Sequence, residues 1–333
     1  MNTSSSGYVE QEHHYVPRGY FRPWENANRK VVVYERIGNR VVPPYLKSTK
    51  KICVKPGLYA YTASVKPEIR NVLEEKLFQR IDSEAARVLR ILNSCDNVDD
   101  ISNEDFHAFS FFLVSLRVRT PEFFEENAKL TERKLRQLIM NAEDDPAVQD
   151  LRLSLKGTSF IQFSEKYHLH IIENKGRELL AENLMNGRLV KHISGMHWTV
   201  ISIPERAGIS LVTSDRPLIS KWANDTIGLL ALPISPSRVF FACSNEADID
   251  RLIHSDRRRL AQQVNIDTVQ QAKAKAFAVD QSHSLRFFER RLGTRHSILP
   301  FSTSVDPELL DRRISEAAQL EEMISSNGIR NFR

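Results

Sequence analysis

Apolar residues recur along this chain with two different periods, and the change from one to the other orders it as strands, helices, strands and helices. From His13 to Trp24 the composition is aromatic, with Tyr15, Tyr20, Phe21 and Trp24 interrupted by Pro17, Gly19 and Pro23, which predicts an extended, well-packed loop. The β-rich run 30–36 meets a Gly38-Asn39 turn and continues as residues 40–42, a hairpin closed by Pro43-Pro44. The clearest helix starts near Pro67, a residue suited to a first helical turn, and runs to about Leu92. Its apolar positions Phe78, Ile81, Ala85, Val88 and Leu92 step by three and four, so one face is expected to be buried. Ser102, with Asp105 three residues on, announces a second helix that carries Phe106, Phe109, Leu113 and Leu116 in one stripe and ends or bends at Pro121. Further helices are predicted over residues 122–142, 158–168 and 174–184.

Near His197 the period returns to two. Residues 198–203 and 209–213 read as strands joined by a turn with Pro204 and Gly208, and residues 228–232 and 239–243 as two more, separated by Pro233-Ile234-Ser235-Pro236. Such short connections favour antiparallel pairing. Helices are predicted again over 247–278, with a final one near 307–325. The order points to an α+β fold, a helical region packed with a mainly antiparallel sheet and an N-terminal hairpin, rather than to a βαβ repeat. It is read as a single large domain over 1–333: motif loop and hairpin (13–62), helical part (66–195), sheet part (196–245) and C-terminal helical part (246–333).

Composition narrows the class without naming it. With 333 residues and 41% hydrophobic content the chain can bury an ordinary core. A net charge of +5 on 27% charged residues permits a polyanionic partner without demanding one. Cys53, Cys95 and Cys243 are widely separated and lack C-x-x-C spacing, which argues against a disulfide framework or a thiolate zinc site and fits a reducing cytosol. The first residues lack an apolar signal-like core, and the apolar stretch 109–116 is too short to span a bilayer. A cytoplasmic location with no membrane partner is therefore expected.

Several short motifs occur in an order that resembles a bacterial family of unknown function. They are His14-Tyr15-Val16-Pro17, followed by Tyr20-Phe21 and Trp24; Glu74-Glu75-Lys76 and Ile81-Asp82-Ser83; Arg119-Thr120-Pro121; the strand led by Trp198; Thr213-Ser214-Asp215-Arg216-Pro217; Leu232-Pro233-Ile234-Ser235-Pro236; and Asn265. That family is recognised by an N-terminal His-Tyr-Val-Pro motif and a later Ser-Asp-x-Pro motif, and the resemblance supplies positions without supplying chemistry. Two departures stand out: Asp82 where that family more often has glutamate, and Arg216 where asparagine is common.

Among these motifs, His14 can ligate a metal, transfer a proton or simply hydrogen-bond. His13 is expected to point away from it, since side chains alternate along an extended segment. Glu75 and Asp82, seven apart, would share one helix face about 10 Å apart along the axis, too far for a single ion. Asp215 should sit at a strand end in a rigid turn, a position that suits a metal ligand or proton acceptor, although Asp also favours turns for local reasons. Together His14, Glu75 and Asp215 make an oxygen-rich set with one imidazole, suited to Mg²⁺ or Mn²⁺, and such a site could activate water for phosphodiester hydrolysis. Arg119 could neutralise a phosphate or lock a carboxylate.

His168-x-His170, on one face of an expected strand, lacks a third ligand. The glycine-rich and nucleophile-elbow motifs of P-loop ATPases, Rossmann dehydrogenases and serine hydrolases are absent from the sequence. Arg257-Arg258-Arg259 and Arg286, Arg290, Arg291 and Arg295, interleaved with Phe287 and Phe288, could contact a nucleic-acid backbone, but a charged helix face with inward phenylalanines explains them as well. The leading expectation is a metal-dependent hydrolase or nuclease acting on nucleic acid, with His14, Glu75, Asp215 and Arg119 at its site. The rival is a non-catalytic binding or regulatory protein, with a protein partner in a bacterial defence or toxin system as a further context.

Overall fold

In chain order the strands are β1 (Glu12–His14), β2 (Lys30–Ile37), β3 (Arg40–Val41), β4 (Tyr45–Ser48), β5 (Val54–Pro56), β6 (His197–Ser202), β7 (Thr213–Ser214), β8 (Ile219–Ala223), β9 (Thr226–Ser235), β10 (Arg238–Cys243) and β11 (Lys275–Ala278). The helices are α1 (Gln79–Ser94), α2 (Asn103–Val118), α3 (Pro121–Asn141), α4 (Phe160–Met185), α5 (Arg188–Ser194), α6 (Glu246–Ile253), α7 (Arg257–Gln271) and α8 (Leu285–Arg291). They come from a computed structural model that describes residues 11–94, 98–142, 158–185, 187–223 and 226–295, all within the unit that ends at Arg295. Cys95 and the helix predicted near 307–325 lie outside the described residues.

Every strand pairing is antiparallel. One sheet runs β6-β10-β9-β8; a second runs β3-β2-β11-β7, with β4 also on β2; β1 and β5 form a two-stranded ribbon. With helices packed against these sheets, the fold is α+β. The predicted hairpin is present, since Arg36 faces Val41 and Gly38 turns the chain at φ +58°, a conformation that costs glycine little.

Helix α1 buries Ile81, Ala85, Val88, Leu89 and Leu92, the face its periodicity predicted. Helix α2 starts where expected, with Ser102 Oγ accepting the Asp105 amide at 3.2 Å. It is then buried on nearly every side, so it is a central rather than a surface helix. Its Phe109 meets Trp198 and Phe240 with ring centroids 5.9 and 5.2 Å apart, which joins the helical layer to β6 and β10. Helices α3 and α4 pack closely at Gly176, where a Cβ would lie 2.7 Å from the Ala128 Cα.

Five segments differ from expectation. Residues 13–24 form β1 and then a 3₁₀ helix, Arg18–Trp24, because Tyr20, Phe21 and Trp24 must all turn inward. The helix expected from Pro67 is broken into a 3₁₀ turn, Pro67–Ile69, and a π-helical turn, Leu73–Phe78, before α1 begins. Phe160–Met185 is one helix kinked at His168 (φ −127°, ψ 19°), so His168 and His170 sit at a helix bend and not on a strand. Residues 209–213 do not pair with β6, whose neighbour is β10; the chain instead leaves for the other sheet, where Thr213 and Ser214 pair with β11. Finally, 275–278 is a strand inside the span predicted helical, because burial between β2 and β7 overrides the helical preference of its alanines and lysine.

Candidate functional site

Motifs scattered through the sequence meet around the N-terminal segment. Tyr20 is fully buried; its hydroxyl lies 2.7 Å from Thr213 Oγ1 and donates to the Pro233 carbonyl at 2.5 Å. That one side chain ties the His-Tyr-Val-Pro segment to the strand before Asp215 and to the Pro-Ile-Ser-Pro run. Gly19 faces Ala86 of α1, 3.7 Å from where a Cβ would stand. The segment therefore docks between the first long helix and the Ser-Asp-x-Pro turn.

Below it lies a buried ion pair. Arg119, at the C-terminal end of α2, is 0% exposed, and its guanidinium grips Asp82 with both arms, Nη1 to Oδ1 at 2.5 Å and Nη2 to Oδ2 at 3.2 Å. Nη2 also donates to the His14 carbonyl at 2.7 Å, and the group lies over the rings of Phe78 (4.5 Å) and Tyr59 (5.6 Å). Burial alone would lower its pKa, but Asp82, Tyr59 and Glu74 together outweigh burial and hold it raised. Arg119 is thus committed to locking a carboxylate and a backbone carbonyl, one of its two predicted roles, and its fork is not open to a phosphate.

Two hydrogen-bonding atoms near this pair are buried without a hydrogen-bond partner, His14 Nε2 and Glu74 Oε2, while the His13 ring hydrogen-bonds the Asn71 side chain. His13, expected to point elsewhere, is 0% exposed; its Nδ1 accepts the Tyr59 amide at 3.0 Å, and its ring stacks on Tyr59 at 5.4 Å. Burial lowers its pKa to about 4, against the opposing Asn71 side chain, and burial lowers that of His14 as well. Both rings are neutral at pH 7. With Nδ1 accepting, the His13 proton sits on Nε2.

Glu74, not the predicted Glu75, is the inward carboxyl. Glu75 is exposed, whereas Glu74 is 9% exposed. The cause is the π-helical turn 73–78, which takes one more residue per turn than an α-helix. The face aligned with Asp82 therefore moves back by one position. Burial pushes the Glu74 carboxyl up to about 7; Arg119 opposes this, while Asp82 and Glu75 add to it.

Because the folded-state value is raised, folding is most favourable below the unfolded carboxyl value of 4.5 and loses about 3 kcal/mol as pH rises through about 7. Glu74→Gln removes that dependence. In urea melts it should match the wild type near pH 5 and exceed it by up to about 3 kcal/mol near pH 8. Equal differences at the two pH values would rule out a raised carboxyl here.

Asp215 lies at the end of β7, as expected, but its carboxylate is turned into the protein. Oδ1 accepts the Lys273 amide at 2.8 Å, and Oδ2 accepts those of Ala274 and Lys275 at 2.9 and 3.0 Å. Burial raises its pKa and the three amides oppose that rise. The side chain closes the turn that leads into β11. Nearby, Asn265 clips the strand approaching β7, accepting from the Val212 amide at 2.9 Å and donating to the Ser210 carbonyl at 2.8 Å. Cys53 is buried and its thiol is pushed well up by burial and by Asp215, so it stays protonated.

His14 and Arg119 are therefore brought together, and Glu75 and Asp215 do not join them. Among the described residues no three His, Cys, Asp or Glu side chains form a group that could hold a metal ion. No sequence signal marks Glu74 over Glu75, because the π turn is a product of packing. In the basic clusters, Phe288 is buried and stacks on Tyr34 at 3.6 Å, while Arg257 donates to the Leu252, Ile253 and Ser255 carbonyls at the end of α6. Among the described residues no helix is long and apolar enough to cross a membrane.

No curated protein and no solved structure matches the chain. A family described as "Protein of unknown function (DUF4238)" matches residues 12–282, which takes in β1, the Arg119–Asp82 pair and Asp215. The chain belongs to that family, DUF4238.

Proposed function

We propose that the chain is a hydrolase whose proton transfers run through Glu74 and His14, with a phosphodiester of nucleic acid as substrate. The supporting observation is the two buried atoms without hydrogen-bond partners, His14 Nε2 and Glu74 Oε2, beside the Arg119–Asp82 pair. Buried polar atoms are nearly always satisfied, so the two favour a water molecule held near them. A carboxyl titrating near 7 can take a proton from that water and return it at neutral pH. Arg119 and Asp82 are positioning groups, and the Asp82 side chain, 22% exposed, marks the side open to solvent. The net charge of +5 favours an anionic substrate.

The test uses labelled DNA and RNA, single- and double-stranded, with Mg²⁺, Mn²⁺ or a chelator, and compares the wild type with Glu74→Gln and His14→Gln. Each variant should cut at least about 100-fold more slowly while remaining folded. Dependence on Mg²⁺ or Mn²⁺ is read from the chelator arm. Equal cleavage by wild type and Glu74→Gln, or no cleavage by either, rejects the reading.

A second reading has its own support. Arg119 and Asp215 are saturated by contacts within the chain, which favours a scaffold that presents a binding surface in a regulatory, defence or toxin assembly. Salt-sensitive nucleic-acid binding without cleavage would favour it.

A further inference from the structure

A cavity of about 910 Å³ that has Asn265 in its wall is also lined by Ser210, Arg258, Asp280, His283 and Arg291. Ser210 Oγ lies 3.1 Å from His283 Nε2. We propose that Ser210 and His283 are the nucleophile and general base of a serine esterase site that takes carboxylic esters bearing a negative charge. The site is independent of the Glu74–His14 reading.

Both partners are held by the fold. The Ser210 carbonyl is fixed by Asn265 Nδ2, and the next two amides donate to the Pro236 carbonyl at 2.7 Å and to Asn265 Oδ1 at 2.9 Å. His283 follows an Asx turn, in which Asp280 Oδ1 accepts the Ser282 amide at 2.9 Å; its carbonyl accepts from Tyr34, and its ring meets Phe288 edge-on. Burial keeps the imidazole neutral at pH 7, free to accept a proton, and the nearby Asp280 carboxylate favours the cation that forms when it does. A hydroxyl within hydrogen-bond reach of a neutral imidazole is the nucleophile–base pairing on which nucleophilic catalysis builds. Arg258, anchored to the Ala207 carbonyl at 3.3 Å, and Arg291, whose guanidinium lies 5.0 Å over Phe287, bring positive charge to a cavity wall that also carries Glu205 and Asp280.

In the first step the Ser210 Oγ–H proton passes to His283 Nε2 as the Oγ–C bond forms at the ester carbonyl. The C–O bond to the leaving group then breaks, and the leaving oxygen takes the proton from Nε2. Water next adds to the acyl carbon and gives its proton to Nε2; the acyl–Oγ bond breaks, the carboxylic acid departs and the proton returns to Oγ.

The full chain would be treated with a fluorophosphonate probe and mapped by mass spectrometry, and its hydrolysis of p-nitrophenyl acetate and p-nitrophenyl hemisuccinate measured. The expected result is an adduct on Ser210, faster turnover of the anionic ester, and rates at least about 100-fold lower in Ser210→Ala and His283→Gln. Ser210→Cys guards against misfolding, since its thiol should be alkylated by iodoacetamide faster than the same thiol in Ser210→Cys/His283→Gln. Absence of an adduct on Ser210, or variant rates within about twofold of wild type, overturns the site; equal turnover of the two esters overturns the substrate class.

Discussion

Replacing Arg119 with methionine is expected to lower the unfolding free energy by about 3–5 kcal/mol, because it breaks a buried ion pair from one side. The guanidinium is fully buried and supplies Asp82 with two hydrogen bonds and the His14 carbonyl with a third. Methionine refills much of the volume and keeps contact with Phe78 and Tyr59, so the loss reads mainly as unpaired polar groups. Arg119→Lys keeps the charge but not the planar fork, and should fall between the two. Asp82→Leu combined with Arg119→Met removes both charges and should recover part of the loss. Urea denaturation measures all four proteins. A loss under 1 kcal/mol for Arg119→Met would mean that the pair does not hold the N-terminal segment in place.

Asp215→Ala is expected to cost about 3–5 kcal/mol, since three buried amides lose their acceptor and each orphaned donor costs about 1–3 kcal/mol before relaxation. Asp215→Asn keeps one acceptor oxygen and should lose less. The damage should be local, with amide hydrogen exchange at Lys273, Ala274 and Lys275 accelerating before that of β6 and β10. Stability separates the structural role from a catalytic one. A carboxylate reserved for chemistry can be removed with little loss of stability, so an Asp215→Ala protein that melts like the wild type would return this residue to the list of catalytic candidates.

These expectations show where local pattern carries over and where it fails. The buried face of α1, the Ser102 cap, the Gly38 turn and the β9–β10 pair were legible because each depends on residues close in sequence. The β11 strand was not: Ala274, Lys275 and Ala276 favour helix locally, and only the neighbours β2 and β7 make that segment extended. The same limit explains the exchange of Glu75 for Glu74. Helical counting puts Glu75 in line with Asp82, and the π turn, imposed by packing at Leu73 and Phe78, undoes the count.

Sequence alone determined the α+β class and the segments around which the buried polar groups gather, because periodicity and punctuation are local and the motif order can be read along one chain. Arg119 holds the His14 carbonyl, and Asp215 accepts the Lys273 amide. What each side chain faces was decided only by the tertiary structure. Arg119 meets Asp82 across 37 residues, Tyr20 meets Pro233 across 213, and Ser210 meets His283 across 73. Hydrogen bonds of about 3 Å form only after the chain has closed those loops, and no local preference encodes which loops close.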